Sequence, residues 1–93
     1  MWTVVVAKPV EKELKKAPAE IRDSFDAWKN LIEHYGPQGL LRINGYWDHA
    51  LKGEWQGARS SSLNQQWRVI YIIEGAAIKI LVLKVTPHDY RKK

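Results

Sequence analysis

The chain has 93 residues, 45% of them hydrophobic, and a formal net charge of +5. That length supports one modest core rather than several domains, and that apolar fraction excludes a disordered chain. The absence of cysteine excludes disulfides, thiolate zinc sites and a cysteine nucleophile, and fits a reducing compartment.

Trp2-Thr-Val-Val-Val6 is short and β-branched and predicts a strand. From Lys8 to Ala17, Val10, Leu14 and Ala17 fall at helical spacing, and Glu11 and Lys15 form a supportive pair four residues apart. Pro18 breaks that helix and opens the next. Glu20 and Asp23 lie near its start, where the helix dipole favours anions. Ile21, Phe25, Trp28, Ile32 and Tyr35 then make one apolar stripe. Helical spacing assigns this aromatic stripe to a core rather than to a base-stacking platform. Gly36-Pro37 ends the helix.

Residues 37–57 are irregular and punctuated by glycine. Three strands follow: Arg59 to Leu63, Trp67 to Ile73, and Ile78 to Val85, with a tight turn at Glu74-Gly75 and Pro87 closing the last strand. The whole chain, 1–93, is expected to be one α+β domain of order β-α-α-β-β-β. Its two N-terminal helices would pack on one face of a small antiparallel sheet and leave the other face open.

Charge is uneven. Residues 1–49 carry seven basic and seven acidic side chains; residues 50–93 carry eight basic and three acidic. A basic half on a small domain points to a polyanion such as nucleic acid, or to an acidic protein. No apolar run approaches the roughly 18 residues of a membrane span. The N-terminus lacks the order of a signal peptide. A cytoplasmic location without a membrane partner is expected.

The basic half also carries the chemistry. It contains His49-Ala-Leu-Lys52-Gly53-Glu-Trp55-Gln-Gly57-Ala-Arg59, then Asn64-Gln-Gln-Trp67-Arg68-Val-Ile-Tyr71, then Thr86-Pro87-His88-Asp89-Tyr90-Arg91. Imidazoles transfer protons near neutral pH, and guanidinium groups grip phosphate oxygens in pairs. Lysine adds a point charge. Strand alternation puts Arg68, Ile70 and Ile72 on one face and Trp67, Val69 and Tyr71 on the other. An arginine sharing a face with two isoleucines reads as a phosphate clamp or as a strand-edge ion pair. His49 reads as an acid–base group or as a loop histidine bonded to backbone. Trp55 and Trp67 stack on bases or are buried. His34, near the end of the second helix, is assigned no chemistry.

These stretches resemble the RelE/ParE superfamily of small toxins from bacterial toxin–antitoxin pairs. The likeness spans essentially the whole chain. His49-x-Leu-Lys52-Gly53-x-Trp55-x-Gly57-x-Arg59, Trp67-x-x-x-Tyr71 and a histidine after the last strand, His88, are similar to the YafQ-like branch. Asn64-x-Gln66-Trp67-Arg68 is closer to the HigB-like branch. Ser62 stands where the first branch has histidine and the second arginine, and Gln66 where the first has aspartate.

The resemblance implies ribosome-dependent cleavage of mRNA without metal or cofactor, suppressed by a cognate antitoxin. It implies a monomer alone and a larger complex with that antitoxin. Implied catalytic residues are His88 (favoured as general acid), His49, Tyr90 and Arg68. Implied substrate-binding residues are Lys52, Arg59, Trp67 and Arg91. Two alternatives remain at this point: a ParE-like gyrase poison, and a module that binds RNA or ribosome without cutting.

Overall fold

The computed structural model describes residues 1–87; His88 to Lys93 lie outside the described residues. Strand β1 (Thr3–Val6) leads into helix α1 (Lys8–Lys16) and helix α2 (Ala19–Tyr35). A short helix α3 (Gln38–Leu41), a 3-10 turn (Asn44–Tyr46) and a two-residue strand β2 (His49–Ala50) follow. Another 3-10 turn (Gly53–Trp55) precedes β3 (Arg59–Ser62), β4 (Arg68–Glu74) and β5 (Lys79–Thr86).

The α+β class and the packing of helices on a sheet are as expected. The sheet itself differs: it has five strands in the order β1-β5-β4-β3-β2. It is also not wholly antiparallel, because β1 runs parallel to β5, with Thr3 opposite Lys79. The helical pair α1–α2 between β1 and the rest of the sheet provides the long crossover that a parallel pairing requires. The β4–β5 connection is also longer than a tight turn at Glu74-Gly75. It is a 3-10 turn, Gly75–Ala77, closed by Ile78 in the left-handed region (φ 52°). Pro87 follows the last residue of β5, as a residue without an N–H should.

The core lies between the helices and one sheet face. Val10 and Ala17 from the first helical segment, and Ile21, Phe25, Trp28 and Ile32 from α2, meet Val69, Tyr71, Ile80, Val82 and Val85. Trp28 is fully buried; it stacks on Phe25 at 5.5 Å and meets Tyr71 edge-on at 5.3 Å. The α2 stripe is therefore core as far as Ile32. Tyr35, its expected last member, is 67% exposed, because the chain turns away at Gly36. Gly36 has φ +76°, and a Cβ there would lie 2.8 Å from the indole nitrogen of Trp2. Glycine is required on both counts.

The expected alternation along β4 holds. Val69 and Tyr71 face the helices, while Ile70 and Ile72 join Leu51, Trp55, Ala58 and Leu83 in a second, smaller cluster. The face away from the helices is thus partly roofed by the segment from Leu51 to Ala58 rather than wholly open. A register shift between Ile70 and Tyr71 pairs them with Lys84 and Val82, which leaves Leu83 as the extra residue of a bulge. Leu83 thereby enters the small cluster while Val82 and Val85 both enter the main core.

Trp28→Ala removes the largest buried side chain at the helix–sheet junction. A loss of about 3–5 kcal/mol is expected from a fully buried aromatic, measured as the urea unfolding midpoint against wild type.

Candidate functional site

The site is assembled where β2, β3 and β4 meet. Asn64 makes the β3–β4 turn: its Oδ1 accepts the backbone N–H groups of Gln66 (2.8 Å) and Trp67 (2.7 Å). This Asx geometry reverses the chain over a few residues and sets Arg68 at the first position of β4, opposite Ser62 on one side and Thr86 on the other. Arg68 is buried, and its Nη1 donates to Ser62 Oγ at 2.7 Å.

Asp48 and His49 are consecutive, and β geometry sends consecutive side chains to opposite faces. Asp48 goes to the helix side and is 1% exposed. Its Oδ1 accepts Arg59 Nε at 2.7 Å, and its Oδ2 accepts the hydroxyls of Ser61 and Tyr71, each at 2.5 Å. Arg59 and Tyr71 are direct partners in the β3–β4 ladder. One carboxylate therefore joins the edge of the sheet to two strands within it. A buried charge is tolerated only when paired and hydrogen-bonded in this way.

Burial pushes the Tyr71 phenol far above its ordinary range, and the Asp48 carboxylate it donates to pushes the same way. For Arg59, burial works to lower the guanidinium pKa; the hydrogen bond and charge of Asp48 outweigh it, and the net shift is upward.

His49 pairs with Ser60, which places its ring on the face shared by Ser60, Ser62 and Arg68. Its Nδ1 lies 2.7 Å from the carbonyl oxygen of Trp47. A carbonyl can only accept, so Nδ1 carries a proton, and in the neutral ring Nε2 keeps a basic lone pair. Nε2 is buried and has no hydrogen-bond partner among the described residues. The reading of His49 as bonded to backbone therefore holds for Nδ1, and its acid–base reading concerns Nε2 alone.

Beside Arg68 is a concave pocket of about 310 Å³ lined by Gly45, Trp47, Ser62, Asn64, Gln65 and Arg68. Trp47 is 68% exposed and sits in the left-handed region (φ 48°, ψ 39°) at the end of the 3-10 turn Asn44–Tyr46. Among the described residues no group of three or more His, Cys, Asp or Glu side chains could hold a metal ion.

No family model and no curated protein matches the chain. Solved structures do match. The RelE–RelB complex of the archaeon Pyrococcus horikoshii OT3 matches with 26% identity, a TM-score of 0.75, and cover of 92% of this chain and 93% of that one. YafQ from Escherichia coli strain BL21(DE3) matches at 18% identity and TM-score 0.72, covering 92% of each chain. The heterotetrameric YoeB–YefM toxin–antitoxin complex of Staphylococcus aureus matches at 14% identity and TM-score 0.71, covering 96% and 99%. This chain has the RelE/ParE-like fold.

Within this RelE/ParE-like fold the structure brings together some of the residues singled out in the sequence and separates others. His49 and Arg68 share one face. Arg59 is on the opposite face, ion-paired with Asp48, so it is not the second phosphate clamp on the Arg68 side. Strand alternation explains this: Arg59 and Arg68 pair with Tyr71 and Ser62, which point to opposite faces. Lys52 is exposed, immediately before the turn that Gly53 opens with φ +67°. Trp67 is half-buried against the main core and Trp55 against the small cluster. His34 is exposed and bonded to the Asn30 carbonyl at 2.8 Å. His88, Tyr90 and Arg91 lie outside the described residues. Among the described residues no helix is long and apolar enough to cross a membrane.

Asp48 and Trp47 were missed in the sequence. A signal for Asp48 emerges only once β2 is recognised: an acid directly before a candidate histidine then has the arginine of β3 and the tyrosine of β4 within reach.

Asp48→Ala leaves Arg59 without its carboxylate and two hydroxyls without an acceptor. A loss of about 3–5 kcal/mol is expected for breaking a buried pair, read by chemical denaturation. Tyr71 gives a pH signature. Above about pH 10 the unfolded chain releases the phenolic proton while the folded chain keeps it, so stability falls by up to 1.4 kcal/mol per pH unit. Tyr71→Phe should remove that part of the alkaline slope in unfolding measured between pH 9 and pH 11.

Proposed function

We propose that this chain is the toxin of a type II toxin–antitoxin pair, acting in the cytoplasm as a ribosome-dependent mRNA endonuclease that needs no metal. The observation that carries the reading is a histidine of fixed tautomer on the same sheet face as Arg68 and its pocket. The sequence resemblance and the RelE/ParE-like fold support it, as does the net charge of +5.

RNA supplies its own nucleophile. His49 Nε2 takes the proton of the 2′-OH as the O2′–P bond forms. Arg68, with Lys52 and Arg91 as further cations, stabilises charge on the phosphorane oxygens. The P–O5′ bond then breaks, and the departing oxygen takes a proton from a general acid, leaving a 2′,3′-cyclic phosphate and a 5′-hydroxyl. His88 is assigned the acid role. β5 ends at Thr86, the ladder partner of Arg68, two positions before His88 in the sequence. Tyr90 is assigned to stacking on a base or polarising the 2′-OH, and Trp67 to substrate contact. Arg59 acts as a positioning residue through Asp48.

The partners in this reading are mRNA, the ribosome and a cognate antitoxin. Two of the matched structures are toxins solved with their antitoxins. An acidic segment that orders on binding would complement the basic half of this chain.

Induction of the chain alone should arrest growth and produce cuts within translated frames bearing 5′-hydroxyl ends. On purified programmed ribosomes, His49→Ala and His88→Ala should each lower the cleavage rate by about 10²–10⁴-fold, the usual worth of a general acid or base. Intact transcripts in arrested cells, with DNA supercoiling lost, would instead identify a gyrase poison. Toxicity unchanged in both histidine variants would leave a binding module.

A further inference from the structure

Trp47 is unusually exposed for its size, at the rim between the Arg68 pocket and a second concavity lined by Leu40, Leu41 and Ile43. A large apolar ring that is 68% exposed contributes little to the core. Its left-handed backbone costs an L-residue with a bulky side chain roughly 1–2 kcal/mol, and glycine or asparagine would fit the same turn more easily. Strain of this kind persists where the surroundings over-determine it and clusters at functional sites.

The surroundings of the ring are specific. Trp47 forms one wall of the 310 Å³ pocket whose other walls are Arg68, Ser62, Asn64, Gln65 and Gly45. That combination is one aromatic face, one guanidinium, a hydroxyl and two amides. A nucleotide fits that combination: its base has a π-face for the indole, and its edges and phosphate suit amide, hydroxyl and guanidinium walls. The volume is at the small end of the range for small-ligand sites, which suits one nucleotide.

The same residue holds the base of the proposed reaction. The Trp47 carbonyl accepts the His49 Nδ1–H at 2.7 Å. A ring and a carbonyl on one residue therefore couple the place of a bound base to the orientation of the imidazole two residues on.

We propose that Trp47 is the stacking shelf for a single unpaired base of the RNA substrate, next to the bond that is cut, and that it sets base preference there. This inference rests on the nuclease reading above and adds a residue to it.

The test is a cycle between protein and substrate on programmed ribosomes. Short mRNAs carry an abasic residue at one position of the cleaved codon at a time, and cleavage is followed for wild type, Trp47→Leu and Trp47→Phe. For wild type, one abasic position should raise the half-saturating toxin concentration by about tenfold, a typical worth of base–aromatic stacking. The rate at saturation should change by less than about threefold if stacking acts in uniform binding. Trp47→Leu should show the same tenfold loss on intact mRNA and no further loss at that abasic position. Trp47→Phe should recover most of it. Thermal unfolding, unchanged in both variants, separates this from loss of fold.

Equal sensitivity of wild type and Trp47→Leu to every abasic position, with cutting intact, would overturn the shelf alone and leave the nuclease reading standing. Absence of cutting by wild type on intact mRNA would overturn the nuclease reading and the shelf with it. Normal cutting by Trp47→Leu that escapes inhibition by the antitoxin would also overturn the shelf, and make Trp47 a protein-docking residue.

Discussion

The organisation of the site depends on one buried carboxylate. Asp48 comes from an irregular segment, yet it is 1% exposed and accepts from Arg59, Ser61 and Tyr71. Hydrogen bonds to an ionised acceptor are roughly twice as strong as neutral ones. Here they replace the hydration the carboxylate loses on burial. Because Asp48 is pinned to the helix side, its neighbour His49 must emerge on the other side. The orientation of the imidazole is thus a consequence of an interaction on the opposite face of the sheet.

That arrangement explains why the two arginines differ. Arg59 has opposing influences on its charge, burial and a carboxylate, and the carboxylate prevails. It serves the frame. Arg68 is also buried; it donates to Ser62 and borders a concavity. In linear sequence both are basic residues on short strands. Only the strand register separates them, through Tyr71 for one and Ser62 for the other.

Much of the architecture was legible because it rests on periodicity. The α2 stripe marked the residues that become the core, and the alternation in β4 assigned its faces correctly. What escaped has physical reasons too. β1 pairs with β5 across more than seventy residues, and nothing in a four-residue β-branched run specifies its partner or direction. β2 has two residues, too few for any pattern. Asp48 depends on that same short strand: an aspartate in a glycine-punctuated segment reads as solvated until β2 is recognised and its three donors are in place. Trp47 escaped for a similar reason: only its backbone angle and exposure distinguish it from the four other tryptophans.

The brevity of β2 has a further effect. It lies at the rim of the sheet, where a longer ribbon would offer neighbouring molecules a ladder of unpaired amides and carbonyls. Two residues, bounded by the left-handed kink at Trp47 and the turn at Gly53, give such a ladder no length. The sheet can therefore stop at β2 without inviting copies of the chain to zip on and extend it.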